Sequence, residues 1–197
     1  VSQDPIAAHF EASRAAMQRA AGDATLLAAC HAVATAIVAA LRAGNKLLLI
    51  GNGGSAADAQ HIAAEIVGRY KLERPGYAAI ALTTDTSALT SIANDYGFER
   101  IFSRQVEGLG HRGDVLMALS TSGRSPNILT ALSKARELGL VTVGCTGVNG
   151  EAMRAHCDHL LMSPSDDTPV IQQIHLVALH GICDEVERAM MRGVDKT

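Results

Sequence analysis

Aromatic side chains are nearly missing from this chain: three Phe, three Tyr and no Trp in 197 residues. A core without large rings has to be filled by Ala, Leu, Ile and Val, which supply most of the 48% apolar content. Such a composition suits helices laid closely on a parallel sheet. An excess of one charge is missing too. The 17 basic and 20 acidic residues give a formal charge of -3, and no basic block could track a nucleic-acid backbone. Nucleic acid is therefore not expected as a partner. Cysteine is sparse: Cys30, Cys145, Cys157 and Cys183 stand singly with no CxxC, which points to reduced packing residues in a reducing compartment. No basic segment followed by an apolar one opens the sequence, so a cytoplasmic location is expected. Internal repeats and Pro- or Ser-rich linkers are also lacking, and one compact domain burying roughly 70% of its unfolded surface is expected.

The longest uncharged run, Ala24 to Leu41, is only about long enough to cross a bilayer. It is Ala-rich and interrupted by His31 and Thr35, so a buried helix is expected there and no membrane partner. Two helices, Ile6 to Ala21 and Ala24 to Ala43, precede the first strand; Asp23 can cap the second and Gly44 can end it. They form a helical extension, residues 1–44, ahead of a domain over 45–197.

From Lys46 onward, short apolar runs alternate with helical patterns. KLLLIG, YAAIALTTD, DVLMALSTSG, VTVGCTG and HLLMSPS read as five strands. Between them lie helices at Ala56 to Tyr70, at Ser87 to Leu109 with a break near Gly97, at Pro126 to Leu138 and, briefly, at Glu151 to His156. Thr168 to Arg192 reads as one long last helix with Pro169 in its first turn, and nothing after it looks structured. The alternation predicts an α/β fold, a three-layer αβα sandwich around a five-stranded parallel sheet.

Two strand-to-helix loops carry the chemistry. The first strand ends in Gly51-Asn52-Gly53-Gly54-Ser55 and the third in Ser120-Thr121-Ser122-Gly123-Arg124-Ser125. In a doubly wound sheet of order 2-1-3-4-5 these two loops flank the switch point, where a crevice opens. Free amides and the positive end of a helix dipole, joined by the hydroxyls of Ser120, Ser122 and Ser125, suit a phosphate monoester. Gly51, Gly53 and Ala56 also satisfy G-x-G-x-x-A, with Asp85 where a ribose-binding acid would sit. A nicotinamide fold, however, has no need of a hydroxyl-rich cradle after strand 3, so no nucleotide cofactor is expected. His61 and Glu65 lie four residues apart and share a helix face one turn below the first loop. On the last helix Gln172, His175 and His180 sit among aliphatic residues, where a histidine is ordinarily a hydrogen-bonded core residue.

Together these motifs resemble the sugar isomerase (SIS) domain family, with its flavodoxin-like fold, and within it the phosphoheptose isomerase branch. The resemblance rests on Gly51 to Ser55, Ala59-Gln60-His61, Glu65, Arg74-Pro75-Gly76, Ala93 to Gly97, Phe102-Ser103-Arg104, Gly113 to Leu116, Ser120 to Gly123 and Ile171-Gln172 with His180. It implies interconversion of D-sedoheptulose 7-phosphate and D-glycero-D-manno-heptose 7-phosphate through an enediol, at the start of nucleotide-activated heptose synthesis for lipopolysaccharide or other surface polysaccharide. It implies a homotetramer with sites at subunit interfaces. By position, Ser120, Thr121, Ser122 and Ser125 would bind the phosphate end, and Asn52, Gly53, Gly54, Ser55, Asn94 and Asp95 the sugar. Glu65 and His180 would be the acid–base pair, Gln172 would touch substrate, and His61, Glu65, Gln172 and His180 would hold zinc. Two rival readings come from the same family: a paralogue that binds the replication initiator, and phosphosugar sensors. The presence of both Glu65 and His180 favours an enzyme over the paralogue, and no helix-turn-helix accompanies the domain.

Overall fold

The computed structural model describes residues 4–192. Five parallel strands form one sheet of order β2-β1-β3-β4-β5: β1 (Leu47–Gly51), β2 (Ala79–Ala81), β3 (Val115–Leu119), β4 (Val141–Gly147) and β5 (His159–Ser163). This is the order the motifs required. Residues that alternate along β1 part to opposite faces. Leu47 and Leu49 join a cluster with α2 (Ala24–Arg42), α3 (Gly54–Val67) and α7 (Thr168–Met191), while Leu48 and Ile50 join one with α5 (Ser103–Leu109) and α6 (Pro126–Leu138). Both faces are covered, which is why the strands are continuous apolar runs. Because α3 leaves β1 toward one layer and α6 leaves β3 toward the other, the chain parts between those strands and opens the crevice.

Helix α1 (Pro5–Gly22) starts at Asp4, whose carboxylate accepts from the Ile6 amide; Asp23 caps α2 by accepting from the amides of Thr25 and Leu26. Three expectations need correction. The third helix begins at Gly54 and ends at Val67 rather than running from Ala56 to Tyr70, because the chain turns back at Gly68 and the Arg74 side chain takes the terminal carbonyls. The second strand is only three residues long, so Asp85 lies beyond it and caps α4 (Thr86–Tyr96) by accepting from the Ala88 amide. That is the duty of a helix cap, not of a ribose ligand. Helix α2 is the one described helix long and apolar enough to cross a membrane, yet just 28% of its apolar window is covered within the chain. Val33, Ala34, Ile37 and Val38 pack inward; the opposite face is open, so it is half-buried rather than buried. The break near Gly97 is real: φ is +87° there, and a 3-10 turn, Phe98–Arg100, follows before α5. The segment expected to lack structure after Arg192 lies outside the described residues.

The end of the sheet away from the crevice is tied by Asp114, which is 1% exposed. It accepts from Lys46 Nζ at 2.6 Å and from the amides of His111 and Lys46. Burial alone would raise its carboxyl, but these donors outweigh burial and hold it below the usual range. A depressed folded pKa contributes stability above the unfolded value, which is lost as pH falls through the folded one. Asp114→Asn is therefore expected to lower Tm by several degrees at pH 7, and the gap to the parent chain should close in thermal melts as pH falls below about 4.

Candidate active site

The crevice between the two loops has a volume of about 260 Å³ and is lined by Asn52, Gly54, Ser55, Leu119, Ser120, Thr121, Ser125, Thr168 and Gln172. Six of these were singled out as site residues by the sequence in its two loops, and Gln172 comes from the first turns of α7. Gly53, at φ +56° and ψ -122°, holds a backbone that side chains avoid and lets α3 begin at once. In the second loop Gly123, at φ +64°, leaves no room for a Cβ, which would meet Gly150 Cα at 2.5 Å. Around it Ser120 Oγ and Ser125 Oγ approach to 3.3 Å, and Ser122 Oγ accepts from the Arg124 amide. The cradle thus closes on itself above the N-terminus of α6, where Ser125 is the capping residue with its side chain free of any cap bond.

Asn127 went unnoticed in the sequence. It is 2% exposed and exchanges two hydrogen bonds with Asn52: Asn52 Nδ2 donates to its Oδ1 at 3.0 Å, and its Nδ2 donates to Asn52 Oδ1 at 2.8 Å. This reciprocal pair bridges the two loops across the switch point. A polar residue in the first turn of α6 was the only available signal, and a pair 75 residues apart leaves no local trace.

A second group lies farther along the same two helices. His61 Nε2 is 3.1 Å from Glu65 Oε1, and His180 Nε2 is 3.2 Å from His61 Nε2, so donor atoms of all three fall within 4.8 Å of one another. Tyr70, also missed by sequence reasoning, stacks on His180 with centroids 5.5 Å apart and an interplanar angle of 21°. Asp58, one turn before His61, has a buried Oδ2 without a partner; burial raises its carboxyl, with His61 opposing.

The Gln172 amide lies against Gly54, at the crevice end of the helix pair that carries the trio. Helices α3 and α7 run side by side, meeting at Gly54 against Gln172 and again at His61 against His180. The two meeting points are seven residues apart on α3 and eight on α7, about 10 to 12 Å of helix. Gln172 is therefore held at the crevice and His180 at the trio. Asn94 and Asp95 are outside the crevice, exposed at the end of α4, where Asn94 donates to Asp95. The 3-10 turn that follows brings Phe98 and Glu99 to a neighbouring hollow shared with Asn52 and Ser125.

The two histidines of α7 have separate fates. His175 is 2% exposed, bonds to the Thr146 carbonyl through Nε2 and is pushed down to about 4 by burial, so it is a neutral core residue. His180, by contrast, is partly exposed and belongs to the trio. Two imidazoles and a carboxylate are a donor set that zinc accepts, and the closeness of their donor atoms would allow the three to hold such an ion.

Residues 9–147 match the SIS domain family. The phosphoheptose isomerase of Bradyrhizobium sp. (strain ORS 278) is 69% identical over 187 residues, covering 95% of this chain and 94% of that protein. The solved phosphoheptose isomerase GmhA from Neisseria gonorrhoeae is 42% identical with a TM-score of 0.88, covering 95% of this chain and all of that one. A phosphoheptose isomerase from Francisella tularensis superposes with a TM-score of 0.90 at 37% identity, covering 95% of this chain and 99% of that one.

Proposed function

The chain belongs to the SIS domain family, and from that premise we propose that it is an aldose–ketose isomerase converting D-sedoheptulose 7-phosphate to D-glycero-D-manno-heptose 7-phosphate. The observation that carries this reading is the meeting of Glu65 and His180 around His61, two to three helical turns from a hydroxyl-lined crevice. A seven-carbon chain phosphorylated at its far end can reach from one to the other. Ser120, Thr121, Ser122 and Ser125 bind the phosphate at the start of α6, where amides and helix dipole favour an anion. Asn52, Gly53, Gly54, Ser55 and Gln172 hold the sugar. Glu65 takes the proton from C1 of the ketose while His180 protonates the C2 oxygen, giving the enediol. Return of a proton to C2 and loss of the one on O1 completes the aldose.

His61, Glu65 and His180 are the residues that would hold zinc, with Gln172 as a fourth ligand only if the helices or a second subunit close the gap. Such an ion, when bound, polarises carbonyl and hydroxyl oxygens of the substrate. A homotetramer with sites at subunit boundaries is supported by the open apolar face of α2 and by the groove of about 310 Å³ between α1, α2 and α7, where the lining residues Leu27 and Val177 are 45% and 54% exposed. Asn94 and Asp95, exposed on α4, would then face substrate across such a boundary. We assign the enzyme to the cytoplasm and to the supply of heptose for surface polysaccharide, and read residues 1–44 as a helical extension on a catalytic domain of 45–197. The replication-initiator and sensor readings are not favoured, since neither needs a carboxylate and an imidazole brought together from two helices.

Incubation of the purified chain with sedoheptulose 7-phosphate, followed by NMR, should show an aldoheptose phosphate; no product there, but turnover of another ketose phosphate, would remove the substrate and keep the mechanism. Parallel metal analysis and assay after chelation would establish whether the ion is present and needed. The crevice itself is tested by Gly54→Ala, whose Cβ would stand 2.6 Å from Gln172 Nε2. Because the obstacle is the far end of a flexible side chain, the fold should survive with Gln172 displaced, and KM for the sugar phosphate should rise several-fold in steady-state assays.

A further inference from the structure

We propose that Arg74 and Glu187 are positioning residues: they lock α3 to α7 and thereby fix His61 and Glu65 against His180. The inference rests on the reading of Glu65 and His180 as the acid–base pair. Arg74-Pro75-Gly76 was part of the resemblance, yet neither the crevice nor the trio uses it.

Helix α3 carries His61 and Glu65 and must satisfy its last carbonyls. It does not use a left-handed glycine; Gly68 has φ -78° and ψ -102°. Instead the guanidinium of Arg74 folds back over the helix end. Its Nη2 donates to the carbonyl of Glu65 itself at 2.8 Å, and its Nη1 donates to the carbonyls of Ile66, Gly68 and Pro75 at 2.9, 3.2 and 3.0 Å. The remaining Nε donates to Glu187 Oε1 at 2.9 Å, and both side chains are 1% exposed. The Tyr77 ring lies 4.3 Å from the guanidinium carbon and closes its other side.

Glu187 sits on α7, two turns beyond His180 and so on the same face. Besides Arg74 it accepts the amides of Tyr70, Lys71 and Leu72 at 2.9, 2.8 and 2.8 Å. One carboxylate therefore holds the loop after α3, and that loop lays Tyr70 on His180. Two helices that present three interacting side chains are joined just below them by a fork of fixed shape. A lysine cannot reproduce it, because one ammonium cannot meet the carboxylate and the successive carbonyls together. A buried ion pair gains little over apolar packing in stability, and a glycine cap would end α3 more simply. What the pair supplies that those would not is register between the helices.

The test measures Arg74→Lys and Glu187→Gln, each checked for folding by circular dichroism, for kcat and KM with sedoheptulose 7-phosphate and for the imidazole 15N resonances of His61 and His180. The expected result is a fall in kcat of about 10- to 100-fold, with a smaller change in KM because Ser120 to Ser125 lie outside the two clamped helices, and displaced His180 resonances. Asp114→Asn, which touches neither the clamp nor the trio, should lower Tm while leaving kcat intact, which separates mispositioning from destabilisation. If Arg74→Lys does not fold, Glu187→Gln, which keeps the shape of the side chain, carries the test alone, with the same fall in kcat and displaced His180 resonances expected. Folded clamp variants with unchanged kcat and unmoved His180 resonances would overturn the inference. Glu65→Gln is assayed alongside: retained turnover there would sink the acid–base reading instead, while the His180 resonances still report on the clamp.

Discussion

Glu65→Gln is expected to reduce kcat by about 10²- to 10⁴-fold, the usual contribution of a general base, while the protein stays folded and KM for sedoheptulose 7-phosphate changes little. The amide keeps the shape and one acceptor oxygen, so contact with His61 Nε2 at 3.1 Å can persist. What it loses is the ability to take a proton from carbon. The phosphate anchoring proposed for Ser120 to Ser125 lies on other elements and does not depend on it. Solvent-exchange NMR gives an independent reading: deuterium incorporation at C1 should fall together with turnover. Near-normal kcat in the glutamine variant would remove Glu65 from the proton transfer and reassign the trio to metal binding alone.

Glu187→Ala should destabilise the protein by about 3 to 5 kcal/mol, the range for removing one partner of a buried ion pair. In a chain of this size that is a Tm loss of about 10 °C. The size follows from what is left behind: a guanidinium 1% exposed, and three loop amides deprived of the carboxylate they shared. Replacing both residues with apolar ones of similar volume, as in Arg74→Met with Glu187→Leu, should regain part of the loss, since no charge is then stranded. It should not regain activity. A Tm for Glu187→Ala within about 2 °C of the parent, well below what that energy requires, would mean that water reaches Arg74 and that the pair is not sealed.

Much of the fold was legible because its signals are local. KLLLIG and DVLMALS are apolar without alternation, which only a strand covered on both faces needs, and Leu47 to Ile50 do part to two cores. Asp23, Pro169 and Gly97 mark helix boundaries by properties of single residues, and the boundaries fall where those properties put them. Errors arose where a distant side chain ended an element. Gly68 is the one local sign of a stop at Val67, and Arg74 takes the freed carbonyls from the following loop. Asp85 looked like a ribose ligand because spacing alone cannot tell a cap from a binding group.

The hydroxyl-rich loop at Ser120 to Ser125 and the His61, Glu65 pair could be read from the chain because both are short-range, one a loop and the other a single helix face. Their relation to each other could not. That Gln172 belongs with Gly54 at the crevice and His180 with His61 at the trio is decided by two helices lying in parallel, more than 100 residues apart in sequence. The same packing makes Tyr70 a neighbour of His180, joins Asn52 to Asn127 across the switch point, and pairs Arg74 with Glu187. Periodicity and capping act within a few residues and so write the elements into the sequence. Contacts between elements depend on where the chain returns, and only the folded molecule sets that.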